Sequence, residues 1–289
     1  MQTLYPQKPR LWLGQLAAHV VVALIALVVI GGATRVMEAG LACPDWPLCY
    51  GSFLPGKQMN LQVFLEWFHR LDAFFVGTVL LAQFFLSLSW RSLLPNWLPW
   101  IYASLSLLVA FQGFLGALTV LALLPSLVVV AHLAVALSLV AAMSAITQRL
   151  LSPGELVLPD WLRSLGFLSL LSVMGQSLLG SRVATSWAAQ RCINLGDSCK
   201  VLDLHRFTAI PISLLVIGFV VASSFHRDVL VHQWPYLISI AFLILFQIFL
   251  GYFSVRLNLK EPIFVIGHQL VASLLVALLS ALNFKGKGN

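Results

Sequence analysis

Charge is what this sequence has least of. Only 9% of its 289 residues are Asp, Glu, Lys or Arg, against 60% hydrophobic residues, and the mean hydropathy is +0.94. A chain so poor in charge cannot be a soluble domain, because no fold of this size hides that much apolar surface from water. The solvent for most of it is lipid. Basic residues outnumber acidic ones and give a formal charge of +7. They are scattered singly, with no basic run interleaved with aromatics, so the partner they imply is membrane lipid and not nucleic acid. Carboxylates are scarcer still. Ten acidic residues in all, with Glu66-x-x-His69 unmatched in any other span, are too few for the inward-facing carboxylates of a di-iron bundle. Cysteine is held to four, and Cys43-x5-Cys49 and Cys192-x6-Cys199 are poor matches to zinc-site spacing. Two close pairs with no leftover thiol fit disulfides in an oxidising compartment.

What the chain does have is apolar runs. They lie at roughly 12–33, 64–90, 97–121, 126–148, 162–184, 203–224, 235–255 and 262–283, each near or above the ~20 residues that cross a bilayer. The predicted fold class is therefore all-α integral membrane, with eight transmembrane helices. The shortest break is Leu124-Pro125-Ser126, between the third and fourth. The first span follows Lys8 and Arg10 and is too long for a signal-peptide core, so a retained helix is expected. No Arg- and Ser-rich transit segment precedes it, which favours a bacterial plasma membrane. Counting basic residues does not orient the chain, but the cysteines do. Both cysteine loops fall on one face, the oxidising outer one, which leaves both termini cytoplasmic.

Four histidines lie inside these apolar spans, and an ionisable group in a membrane span is costly and usually functional. His69 and His205 are 136 residues apart, and so are His132 and His268. Phe111-Gln-Gly-Phe-Leu-Gly116 matches Phe246-Gln-Ile-Phe-Leu-Gly251 at an offset of 135. A repeat of four helices starts each copy on the same side, so the expectation is two parallel four-helix bundles, 1–148 and 162–289, joined by a cytoplasmic linker at 149–161. Gln-x-x-x-Gly recurs at Gln176 and Gly180, and reads as close helix packing with a polar glue residue.

Each pair places one imidazole near the outer end of each of two helices. His132 lies six residues inside its span, roughly 9 Å deep at 1.5 Å per residue. Two imidazoles facing across a bundle suit a haem iron bound from both sides. Arg35, Arg70, Arg182, Arg206 and Arg256 lie at outer helix ends, where guanidinium groups can meet propionates. His19, His226 and His232 break the repeat and receive no role. The halves differ at one informative position. Glu66 stands one turn from His69, whereas Leu202 precedes His205. A carboxylate beside only one site suits one retained haem and one site where chemistry occurs.

Gly32-Ala-Thr-Arg35, Gly40-Leu-Ala-Cys43-Pro-Asp45-Trp-Pro-Leu-Cys49 and Glu66-x-x-His69-Arg70 together resemble the haem A synthase family, and the likeness runs through all eight spans and all four histidines. The resemblance implies an enzyme that oxidises the C8 methyl of haem O to the formyl of haem A, needed by haem–copper terminal oxidases. It implies haem b held by His205 and His268, the substrate haem at His69 and His132, and an essential Glu66 nearby. The two external cysteine pairs, Cys43–Cys49 and Cys192–Cys199, fit the same pattern. Implied partners are haem O, the haem O synthase that makes it, and an electron acceptor. A two-haem b-type electron carrier is the alternative, and a haem transporter a weaker one, since all four histidines lie toward one face.

Overall fold

A computed structural model describes residues 7–152, 158–185 and 200–284. Among them are eight helices: α1 (Gln7–Val36), α2 (Leu61–Ser89), α3 (Leu98–Leu121), α4 (Ser126–Leu151), α5 (Asp160–Thr185), α6 (Lys200–Ser224), α7 (Arg227–Arg256) and α8 (Pro262–Asn283). All eight are long and apolar enough to span a bilayer. The protein is a multi-pass membrane protein, as its composition requires.

The helices overrun the apolar spans at several ends. A hydropathy run stops where lipid stops, whereas backbone hydrogen bonding carries a helix on into the interface. The largest difference is at α7, which begins at Arg227 and passes through Pro235, so His232 is helical and its Nδ1 lies 2.8 Å from the Asp228 carbonyl. Proline is tolerated there because the turn before it can leave one carbonyl unpaired.

Within 7–152, α1 packs on α2, α2 on α3, α3 on α4 and α4 back on α1; α5 to α8 close a second ring in the same order. The rings meet where α8 lies against α1 and α4, and α4 against α5. Leu13, Leu80, Leu98, Leu137, Met143 and Phe219 are fully buried in the continuous core. Polar ties cross between the rings: Gln269 Nε2 donates to the Val28 carbonyl at 2.9 Å, and Ser280 Oγ to the Ala141 carbonyl at 2.6 Å. The break at 122–125 is a turn built on Leu123 and Leu124, each at φ +59°, and Asn258 and Leu259, at +52° and +57°, repeat it 135 residues later. In both copies the second of these residues donates back into the helix, Leu124 to Thr119 and Leu259 to Ser254, which satisfies carbonyls that a helix end leaves open.

Candidate functional site

The four histidines lie on α2, α4, α6 and α8, each five to eight residues from the first residue of its helix. Each imidazole faces a glycine near the end of the preceding helix: His69 on Gly31, His132 on Gly116, His205 on Gly180 and His268 on Gly251. One turn before each glycine a backbone carbonyl faces the same ring, from Leu27, Gln112, Gln176 and Gln247 in turn. His268 Nδ1 is 3.1 Å from its carbonyl. The Nδ1 atoms of His69, His132 and His205 fall short of a hydrogen bond and are buried without a partner.

The Gln-x-x-x-Gly segments do act as helix glue, and their target is the histidine helix. Gln112 Nε2 donates to the His132 carbonyl at 3.0 Å and Gln176 Nε2 to the His205 carbonyl at 2.6 Å. Gln176 Oε1 accepts from the Thr208 hydroxyl at 2.8 Å. Gln247 Nε2 stands 3.2 Å from His268 Nε2. On α1 the corresponding residue is Leu27, which has no amide.

The imidazoles come in pairs. His205 and His268 have ring centroids 6.4 Å apart with planes at 75°, and His69 lies near His132. An imidazole–metal bond is about 2 Å, so two rings ligating one ion from opposite sides have centroids roughly 6 Å apart. The separation of His205 and His268 meets that requirement. Among the described residues no group of three or more His, Cys, Asp and Glu side chains could hold a metal ion. A pair of axial imidazoles with a tetrapyrrole supplying the other ligands fits this donor set, whereas an all-protein metal site does not. A ligand histidine normally sends its second nitrogen to a carbonyl or carboxylate, and the carbonyl one turn before each glycine stands where that bond would form.

Glu66 is buried and committed. Its Oε2 accepts from the Cys43 N–H at 2.8 Å, and its Oε1 pairs with Arg70 Nη2. Arg70 goes on to donate to the carbonyls of Asp45 and Leu48, both at 2.6 Å, and of Cys43 at 3.3 Å. Cys43 and Cys49 form a disulfide with Cα atoms 4.8 Å apart, and both are buried. Asp45 closes the loop from within. Its carboxylate accepts from the N–H groups of Gly51 and Tyr50, at 2.7 Å each, and those two bonds hold it below the ordinary carboxylate value. Trp67 Nε1 donates to the Phe53 carbonyl at 2.7 Å. The Cys-Pro-Asp-Trp-Pro-x-Cys segment is thus bolted to α2 one turn from His69. Cys192 and Cys199 lie outside the described residues.

The five arginines divide. Arg70 spends its donors on the loop carbonyls and Glu66. Arg182 Nη1 donates to Ser126 Oγ at 3.2 Å, tying α5 to the start of α4. Arg35 is half-buried at the end of α1, and Arg206 and Arg256 are exposed; none of these three makes an ion pair among the described residues. Sequence reasoning took Gly116, Gly180 and Gly251 only as close helix packing and Asp45 only as part of the loop motif, and marked none of Gly31, Gln269 and Asp72 as a site residue. Asp72 lies three residues beyond His69, half-buried, and its acidic character inside an apolar run was the available signal.

A family model described as cytochrome oxidase assembly protein matches residues 14–199. The chain belongs to the cytochrome oxidase assembly protein family. The match takes in Gly31, Glu66, His69, His132 and Gly180, and ends before His205 and His268. Among curated relatives, a protein named Heme A synthase from Shewanella oneidensis is 32% identical over 191 residues, 59% of this chain and 56% of that one. Another of the same name from Bradyrhizobium diazoefficiens is 32% identical over 198 residues, 57% and 55% of the two chains. The chain thus spans little more than half the length of these relatives. A Protoheme IX farnesyltransferase from Haloarcula marismortui is 38% identical over 74 residues, 26% of this chain and 15% of that one.

Proposed function

We propose that this protein is a haem A synthase: a membrane oxidoreductase that converts the C8 methyl of haem O to a formyl group. One observation carries the reading. Two imidazole pairs repeat in register, and only the first has a carboxylate one turn from its histidine, under a disulfide-closed cover. The relatives named Heme A synthase support it. In this proposal residues 1–148 take the substrate haem at His69 and His132, and residues 162–289 hold haem b at His205 and His268. The cysteine loops lie on the outer face of a bacterial plasma membrane, with both termini inside.

The reaction adds one water and releases four electrons and four protons per methyl oxidised, by way of the alcohol and the hydrated aldehyde. Bound haem b supplies one-electron redox chemistry when present. The chain's own residues do the rest. His69 and His132 orient the macrocycle, and the loop covers the site from water. Arg35, half-buried and without a carboxylate partner, suits a propionate best among the five arginines; Arg206 and Arg256 suit the second site. Glu66, one turn from His69 and paired with Arg70, would supply negative charge at the substrate site and take up protons released there. The likeness to a farnesyltransferase supports haem O synthase as the supplier of substrate; an electron acceptor completes the set of partners.

The test is chromatography of haems extracted from purified protein, with and without co-expressed haem O synthase. The expected extract holds haem b together with haem O, its alcohol or haem A, and the last two rise with haem O supply. Haem b alone under both conditions would make the protein a b-type electron carrier.

A further inference from the structure

We propose that Gly31, Gly116, Gly180 and Gly251 are positioning residues, each forming with the carbonyl one turn before it a seat that sets the rotation of one axial imidazole. The inference rests on the paired-haem reading above. In three cases of four Nδ1 approaches its carbonyl without closing a full hydrogen bond, so contact with the glycine is left to hold the ring. Each ring presents its Cε1 edge to the glycine, tightly at Gly31, Gly180 and Gly251 and in ordinary contact at Gly116.

The slot can be measured by building a Cβ on each glycine. It would stand 2.9 Å from Cε1 of His268 at Gly251, 3.0 Å from that of His205 at Gly180 and 3.1 Å from that of His69 at Gly31. At Gly116 it would stand 3.4 Å from that of His132. Only the first is closer than a Cβ contact can be; the next two require the ring to give by a few tenths of an ångström and the last is an ordinary contact, so the seats are graded. The ring is the end of a side chain and can yield by turning, whereas the glycine backbone cannot. A methyl group at Gly251 or Gly180 would therefore rotate the imidazole away from its carbonyl before it separated the helices. Gln112 and Gln176 reinforce two of the seats by bonding the histidine's own carbonyl, whereas the Gln247 amide meets His268 at Nε2, the nitrogen a haem iron would take. At His69, where Leu27 stands instead, the Glu66–Arg70 bolt to the loop anchors the same turn of α2.

The test uses the full chain, purified in detergent with the haem it carries, and reads haem b content and the low-spin ferric EPR g-values, which report ring orientation. Gly251→Ala and Gly180→Ala are expected to displace the g-values and weaken haem b retention by about 10-fold or more, the usual cost of disturbing a ligand's support. The effect should be larger at Gly251. Gly31→Ala and Gly116→Ala should leave the haem b signal where it was. Unchanged g-values and content in both Gly251→Ala and Gly180→Ala would overturn the proposal. So would equal shifts in all four variants, which would mark a general packing defect. If Gly251→Ala fails to accumulate, Gly180→Ala, with the smaller intrusion, decides alone. Unsubstituted protein without a low-spin haem signal would instead overturn the haem reading beneath.

Discussion

Glu66 is both the candidate proton acceptor and the bolt of the outer loop, and substitution can separate the two. Glu66→Ala removes the acceptor for the Cys43 N–H and the anionic partner of Arg70. A buried N–H left unpaired costs about 1–3 kcal/mol. Removing one member of a buried ion pair costs about 3–5 kcal/mol, but Arg70 keeps three loop carbonyls, so most of that second cost is avoided. A net loosening of the loop by about 2 kcal/mol corresponds to roughly 30-fold more frequent opening. Glu66→Gln keeps an oxygen for the Cys43 N–H and loses only the charge, so its loop should open far less. The assay pairs the rate at which a water-soluble phosphine reduces Cys43–Cys49 with chromatography of haems from the same preparation. Glu66→Ala should speed reduction and abolish haem A; Glu66→Gln should nearly preserve the loop and still make no haem A, with haem b retained in both. If Glu66→Gln converts haem O at the normal rate, proton chemistry at this position is refuted. If Glu66→Ala leaves the reduction rate unchanged, the bracing argument is refuted.

Asp45 has its carboxylate value lowered by loop N–H donors, so its contribution is complete above the ordinary carboxylate range and is lost as pH falls through the depressed value. Relative to an unstructured disulfide under the same conditions, phosphine reduction of the loop disulfide should therefore quicken in acid, and Asp45→Asn should erase most of that difference; a variant with the same relative profile would refute it. Gly32→Ala would meet the Gln269 carboxamide and break its bond to the Val28 carbonyl, at about 1–3 kcal/mol, visible as a lowered Tm in detergent. An unchanged Tm would show that this tie between the rings carries no weight. Asp72, a half-buried acid with no ion pair among the described residues, is expected to destabilise the apo fold, since an unpaired charge in apolar surroundings is costly. Asp72→Asn should raise the Tm, and a fall would mean that the carboxylate has a partner.

By itself the sequence determined the number of spans, because a bilayer of fixed thickness demands apolar runs of fixed length. It determined the pairing of the histidines too, because duplication preserves spacing and His69, His132, His205 and His268 keep theirs. It singled out Glu66 by a difference between two copies. The tertiary structure alone decided which donors each arginine spends where: Arg70 and Arg35 look alike in a string of letters, yet one is saturated by carbonyls 22 to 27 residues away and the other has no carboxylate partner. It alone decided that Gly31 belongs to His69 and Gly251 to His268, and that Gln-x-x-x-Gly reaches for a histidine. The reason is rotational. Periodicity fixes which residues share a face of one helix, but which face meets which neighbour depends on how eight helices turn about their axes to bury one core together.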